Sequence, residues 1–104
     1  MANGIIQNPH NLWENIYIGD IASGKTLTFS GNASLLLVLN GTTTSRQGMY
    51  IVFGRTSGSP FVTTVVAASS ATVVGSTGKL DISGDCYATI IPLTDAAAGR
   101  ISIT

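Results

Sequence analysis

The segment Lys25–Ser30, "KTLTFS", decides the fold class of this chain. Its large apolar residues, Leu27 and Phe29, are separated by a single polar residue, which is the period-two alternation of a half-buried β-strand. Threonine and phenylalanine favour strands, and a Gly-Asn pair directly after Ser30 indicates a turn. The segment therefore predicts a β-strand and not a helix.

The residues before this strand match a nucleotide-binding pattern. Gly19–Thr26, "GDIASGKT", fits the phosphate-binding loop pattern G-x-x-x-x-G-K-[ST] letter for letter. A working loop needs a helix that begins at its lysine, because phosphate groups bind to the N–H groups at a helix N-terminus. The alternation that follows Lys25 predicts no such helix. We interpret the segment as a turn between two antiparallel strands, in which Asp20 starts the turn and Gly24 supplies a free φ angle.

The rest of the chain repeats the strand pattern. Short runs of β-branched and aromatic residues are separated by Gly, Ser, Asn and Pro, with almost no helical periodicity. The candidate strands are Asn15–Gly19, Thr26–Ser30, Ser34–Leu39, Met49–Gly54, Val62–Ala67, Thr72–Val74, Lys79–Ile82, Cys86–Leu93 and Arg100–Ile103. Strands at turn spacings of about 8–12 residues are typical of sandwiches. We predict an all-β fold, a single antiparallel, jelly-roll-like β-sandwich over residues 14–104.

Composition excludes several classes of partner. A chain of 104 residues with a formal net charge of zero shows no electrostatic attraction for nucleic acid or an anionic membrane. Its longest apolar run is far shorter than the ~20 residues that a membrane helix needs, so we predict no membrane insertion. No signal-peptide pattern is visible, and the single Cys86 cannot form an internal disulfide. We therefore expect synthesis in a reducing cytoplasm and a buried, inert thiol.

One predicted strand is apolar on both faces. The run Leu35–Leu39, "LLLVL", must be covered twice, by the domain core and by something else. Leu35 and Leu37 are therefore candidate subunit contacts. Tyr50 and Arg46 are further candidates for a ligand or subunit contact. The alternative for Arg46, which lies in the polar loop "GTTTSRQG", is a solvated loop tip.

Reactive side chains are few and scattered. His10, the single histidine, lies far along the chain from Cys86, so no nucleophile–base pair is indicated. Asp81 and Asp85 flank a turn, and turn formation explains them more simply than a carboxylate pair or a calcium site. We predict no catalytic residues, no metal site and no cofactor, and hence a protein that is not an enzyme.

The first residues are typical of an arm and not of a sheet. They contain Asn-Gly and Asn-Pro pairs and lack alternation. We predict that residues 1–13 serve attachment or assembly, with Asn8, Pro9, His10 and Trp13 as candidate anchoring residues. Trp13 has two open interpretations, an exposed platform for a sugar or protein and a plug at one end of the sandwich.

Several segments follow one another in a distinctive order. They are "GKTLTF" (Gly24–Phe29), the apolar run Leu35–Leu39, a polar loop, "GMYIVF" (Gly48–Phe53), Ser/Thr/Val-rich strands and "GRISI" (Gly99–Ile103). This order resembles the small β-knob domains of bacteriophage fibres and capsid-decorating proteins, over roughly residues 16–103. The resemblance is one of pattern and composition. It implies a homotrimer of β-sandwiches in which neighbouring subunits around a three-fold axis cover the doubly apolar strand.

The resemblance also implies a role in the virion. Because the knob makes up nearly all of the sequence, we expect a small separate structural protein, a head-fibre or decoration knob anchored by its arm. Its expected partners are capsid or fibre proteins, with a host-surface glycan as a further ligand. The alternative is a tail-fibre receptor-binding or carbohydrate-binding module.

Overall fold

The computed structural model describes residues 16–41, 46–93, 97 and 99–104. The predicted arm, with its candidate anchoring residues Asn8, Pro9, His10 and Trp13, lies outside the described residues. The described chain is all-β and forms two antiparallel sheets packed as a β-sandwich, which confirms the predicted fold class.

Each predicted strand is present, and no end differs from the prediction by more than two residues. The strands are β1 (Ile16–Asp20), β2 (Lys25–Phe29), β3 (Ala33–Asn40), β4 (Gly48–Gly54), β5 (Phe61–Val66), β6 (Ala71–Ser76), β7 (Lys79–Gly84), β8 (Tyr87–Pro92) and β9 (Ile101–Ile103). Alternation of apolar and polar residues locates strands well because it reflects burial on one face of a pleated chain.

The two sheets combine a jelly-roll part with a meander. The five-stranded sheet has the order β1-β8-β3-β4-β5, and the four-stranded sheet has the order β6-β7-β2-β9. Strand β1 pairs with β8 and β2 pairs with β7, so that early strands nest against late ones, as in a jelly roll. Strands β3, β4 and β5 pair in chain order as a meander instead. The meander leaves β5 as the last described strand of its sheet.

The segment that resembles a phosphate-binding loop is a corner between the two sheets. The Asp20 carboxylate accepts a hydrogen bond from the Ala22 N–H at 2.8 Å, and Gly24 N–H donates to the Ile21 carbonyl at 3.0 Å. Gly24 has φ +88°, a conformation that favours glycine. Strand β2 begins at Lys25, so the helix of a phosphate site is replaced by a strand.

This placement corrects the interpretation as a turn between paired strands. Strand β1 lies in the five-stranded sheet and β2 in the four-stranded sheet, so the corner joins strands that are not neighbours. A turn signal specifies a local change of direction, whereas pairing depends on contacts that are distant along the chain. The sequence signal therefore located the turn but did not identify which strands pair.

A second crossing between the sheets is bonded to this corner. Ile21 N–H donates to the carbonyl of Cys86 at 3.1 Å, and Gly84 N–H donates to the carbonyl of Ile21 at 3.1 Å. The two partner groups, the Cys86 carbonyl and the Gly84 N–H, lie where the chain passes from β7 to β8, and Ile21 is fully buried. The β1–β2 and β7–β8 crossings thus hold each other in place and fix the two sheets at one end.

The core between the sheets follows the predicted alternation. Leu27 and Phe29 of β2 point inward and are buried, as "KTLTFS" predicts. The fully buried side chains are Ile21, Leu27, Leu35, Leu37, Leu39, Leu80, Ile82, Ile90, Val52 and Pro92. Burying each large aliphatic side chain contributes roughly 1.5–3 kcal/mol, so this cluster is the main source of stability of the monomer fold.

Truncation of one such residue tests the core. Leu37→Ala should lower the free energy of unfolding by about 2–5 kcal/mol, because Leu37 is fully buried in the middle of β3 and a cavity would remain. Urea denaturation at one fixed protein concentration measures the change. Ser102→Ala, an exposed position on β9, is the control and should stay within about 0.5 kcal/mol of the parent. A Leu37→Ala shift no larger than that of the control would contradict the assigned core.

Candidate functional site

Strand β3 is apolar on both faces, and the second sheet covers one of them. Leu35 and Leu37 point into the sandwich and are fully buried, whereas Leu36 and Val38 point the other way and are half-buried. In this chain Leu35 and Leu37 are therefore core residues and do not reach a subunit contact. The residues of β3 that face away from the core, and so are placed to contact another surface, are Leu36 and Val38.

The register of the sheet places further apolar residues beside them. Leu36 lies opposite Ile51 of β4 and opposite Ile91 of β8, and Val38 lies opposite Met49. Directly opposed residues share a face of the sheet. We call this surface the outer face; its members are Leu36, Val38, Met49, Ile51, Phe53 and Ile91. The register also places Thr63 and Thr89 at the margins of this face, and strands β3, β4, β5 and β8 contain no charged residue, so the outer face is uncharged and largely apolar.

A second apolar surface runs along one side of the sandwich. Strand β5 is the last described strand of the five-stranded sheet, and β6 is the last of the four-stranded sheet. All six residues of β5 are exposed, with Phe61 at 59 % and Val65 at 52 %. The chain from Thr56 to Gly78, which contains both strands, has no charged residue. We call these two strands the edge side.

The edge side lacks the charges that commonly protect a free strand. Natural sheets discourage edge-to-edge association with charged side chains, prolines or bulges. Strand β5 carries a bulge at Val65, where the register to β4 shifts, but its sequence "FVTTVV" is strongly β-forming and uncharged. An edge of this composition favours association with another protein surface.

Tyr50 is a core residue and not a ligand contact. Its side chain is 6 % exposed, and its hydroxyl oxygen accepts a hydrogen bond from the Ala68 N–H at 3.1 Å. This bond attaches the segment that follows β5 to the core of the sandwich. The candidate role of Tyr50 in binding a ligand or subunit is thereby corrected, because a strand interior takes its inward residues out of solvent.

Arg46 bridges two loops. Its guanidinium forms an ion pair with the Asp85 carboxylate at 2.8 Å, and the side chains are 32 % and 74 % exposed. Surface pairs of this kind contribute about 0–1 kcal/mol. The candidate contact residue Arg46 thus connects the loop before β4 to the turn before β8.

Asp81 and Asp85 form contacts with different residues of the chain. Asp85 pairs with Arg46, whereas Asp81 accepts a hydrogen bond from the Thr26 hydroxyl at 2.6 Å. These contacts give each carboxylate a structural role at its own site.

Cys86 is buried beside the corner, as the sequence predicts. Burial raises the pKa of the Cys86 thiol, and the nearby charge of Asp85 raises it further. A raised pKa keeps the thiol protonated at neutral pH, and the thiolate is the reactive form. The side chain therefore acts as a small apolar core residue.

An aromatic pair and an arginine line a depression at one end of the outer face. Phe53 of β4 lies opposite Phe61 of β5. The Arg55 guanidinium lies 4.2 Å from the centre of the Phe61 ring, and its Nε donates to the Ser59 carbonyl at 2.8 Å. The depression has a volume of about 420 Å³ and is also lined by Asn32. Sequence reasoning missed these residues because only the β4–β5 register brings the two rings together.

Three comparisons with known proteins, by family model, by sequence and by structure, find no match for this chain. Within the described residues, no group of three or more His, Cys, Asp or Glu side chains is placed to hold a metal ion. The same part of the chain contains no helix that is long and apolar enough to cross a membrane. The outer face, the edge side and the depression beside Arg55 are thus the surface features from which function is inferred.

The Tyr50 hydrogen bond provides a direct test of its assignment. Tyr50→Phe should lower the free energy of unfolding by about 1–3 kcal/mol, because the Ala68 N–H would lose its partner in a buried setting. Tyr87→Phe is the matched control, since Tyr87 is 48 % exposed, and its midpoint in urea should be nearly unchanged. Equal midpoints for the two variants would contradict the buried hydrogen bond.

Proposed function

We propose that this chain is a homotrimeric structural protein of a bacteriophage virion, a head-fibre or decoration knob. In this proposal the arm of residues 1–13 attaches the knob to capsid or fibre proteins, and the knob adds host-surface contact. The virion assignment rests on the segment order described above. The observation that supports self-association is the outer face, an apolar and uncharged sheet surface.

The dimensions of the outer face suit a subunit interface. The outer face lies on three strands, β8, β3 and β4, which at about 4.8 Å apart span about 14 Å, and the eight residues of β3 span about 26 Å. The product is about 370 Å², against about 800 Å² per partner in a standard stable interface. The outer face therefore supplies about half of one such interface, and the remainder must come from the residues around it.

A second copy of the same chain fits this face better than a charged partner does. Electrostatic complementarity normally steers association between unlike proteins, and the strands of the outer face carry no charge to provide it. An uncharged apolar face is typical of the core of homo-oligomeric interfaces. Closed cyclic symmetry then limits growth to a defined assembly such as a trimer.

The reactive side chains support a structural role over an enzymatic one. Cys86 is buried with a raised pKa, and Asp81 and Asp85 bind separate partners. A general acid–base pair or an activated nucleophile needs such groups to converge on one cavity. Structural association requires no such convergence.

The mass of the native assembly tests the proposal. The parent protein should have a trimer mass in light scattering or native mass spectrometry. Leu36→Asp should shift it to monomers, because a carboxylate at the centre of an apolar interface is desolvated without a partner. Ser102→Asp, on the exposed side of β9, is the matched control and should remain trimeric.

Circular dichroism of both variants checks that the fold is retained. A parent protein that stays monomeric at every concentration measured would reject the proposal.

A second candidate function, carbohydrate binding, is favoured by the depression beside Arg55. Exposed rings such as those of Phe53 and Phe61 provide an apolar platform, and Asn32 and the guanidinium provide hydrogen-bond donors. The volume of about 420 Å³ lies within the range of about 300–1,000 Å³ that is usual for ligand sites. The positive charge of Arg55 favours an acidic sugar.

A glycan array on the purified protein tests this second candidate, which requires Phe53 and Phe61 to remain exposed. We expect binding to acidic oligosaccharides that is lost in Arg55→Ala, because the stacked guanidinium supplies the charge at the site. Arg46→Ala is the matched control, since Arg46 lies in a different loop and pairs with Asp85. An array without binding, or equal loss in both variants, would exclude a glycan site at Arg55.

A further inference from the structure

We propose that the edge side of one subunit packs against the outer face of the next, so that three copies close a ring through head-to-tail contacts. This inference rests on the proposed homotrimer and specifies which surfaces meet in it. The occupant of the outer face is then a second copy of this chain, presenting β5 and β6.

The chain carries two different apolar surfaces. The outer face lies on the broad side of the five-stranded sheet, and the edge side lies along the last described strand of each sheet. Four of the exposed large hydrophobic residues of the edge side belong to β5, and a fifth belongs to β6; they are Phe61, Val62, Val65, Val66 and Val74. Exposed apolar surface of this extent marks an interaction site.

Strand β5 projects beyond the cover of the other sheet. Val62 lies opposite the fully buried Val52, so its side chain is on the inward-facing side of β5. Even so, Val62 and the next inward residue, Thr64, are exposed. A strand exposed on both faces forms a ridge, and a ridge is complementary to a broad sheet face and not to a second ridge.

Symmetry favours a contact between the two unlike surfaces. A two-fold contact of outer face on outer face leaves the edge side exposed, and a two-fold contact of edge on edge leaves the outer face exposed. A head-to-tail contact covers both surfaces in every subunit and closes into a ring when the rotation is 120°. Each subunit then takes part in two such contacts, one through its outer face and one through its edge side.

The free edge of β5 also presents backbone groups that need hydrogen-bond partners. The outward N–H and C=O groups of β5 pair with no described strand. Polar side chains border the outer face: Ser34 lies at one end of β3, and Thr89 of β8 lies opposite Val38. A subunit interface usually has an apolar core and a polar rim, and these hydroxyl groups provide hydrogen-bond partners at the rim.

Cysteine cross-linking distinguishes this arrangement from its alternatives. We use Leu36→Cys to mark the outer face and Val65→Cys to mark the edge side, with a short bifunctional maleimide and a denaturing gel as readout. The native Cys86 is buried and should react slowly in the folded protein. Each variant is first checked for the parent trimer mass.

The inference predicts a specific pattern of covalent products. Each single variant alone should give no covalent dimer, because like residues do not meet in a head-to-tail contact. Co-expression of the two single variants should give a covalent dimer, and the double variant should give covalent dimers and trimers. A double variant of Leu36→Cys with Ser102→Cys is the control and should give neither.

Other patterns would overturn the inference without affecting the proposed trimer. Cross-linking by Leu36→Cys alone would mean that outer faces meet each other, and cross-linking by Val65→Cys alone would mean that edges meet. A double variant that retains the trimer mass but forms no covalent product would also reject the arrangement. A monomeric mass for the parent protein is a different result, since it would reject the proposed function itself.

Discussion

Strand β3 imposes the constraint on which the rest of this molecule depends. A pleated strand directs alternate side chains to opposite sides, and β3 is apolar on both. Within one chain, the four-stranded sheet buries only the side that carries Leu35, Leu37 and Leu39. The residues on the other side, Leu36 and Val38, remain half-buried. The core of the monomer and the apolar surface on which the proposed association rests thus arise from the same five residues of sequence.

The two sheets are held in register by the corner at Ile21. The N–H of Ile21 donates to the Cys86 carbonyl, and the Ile21 carbonyl accepts from the Gly84 N–H. The two crossings between the sheets therefore stabilise each other. The corner needs a glycine for the positive φ angle at Gly24 and an acidic side chain at Asp20 to accept the Ala22 N–H. These residues satisfy the turn, and their match to a phosphate-binding pattern is a coincidence. Short motifs of this kind carry functional meaning only in the structural context that the chemistry needs.

Most strand positions could be predicted from the sequence, and the contacts between strands could not. Alternation such as Leu27 and Phe29 is a local signal, and it located every strand to within two residues. Both faces of β3 are apolar, so its sequence does not show which side chains point into the core. The sequence therefore suggests Leu35 and Leu37 as contact residues, whereas Leu36 and Val38 are the ones that face outward. The buried hydrogen bond of Tyr50 is likewise not visible in the local pattern, because its partner Ala68 is 18 residues away.

The depression beside Arg55 shows the same limit. Phe53 and Phe61 become neighbours only through the register between β4 and β5, and the guanidinium reaches the Phe61 ring through that pairing. No spacing rule along the chain connects these residues in advance. The surfaces that bear on function are therefore products of strand pairing, whereas the class of fold follows from local pattern.

The exposed strand β5 also sets a condition on how the protein is made. Its sequence "FVTTVV" combines strong β propensity with the absence of charge, proline and glycine, which are the features of segments that stack into amyloid-like fibrils. In the proposed assembly another subunit shields this strand, so association of newly made chains competes kinetically with their aggregation. A lysine on β5 would reduce the tendency to aggregate but would also weaken the contact proposed for the edge side. Both processes need copies to meet, so the proposed contact must form faster than the fibril-like one at every concentration at which the protein is made.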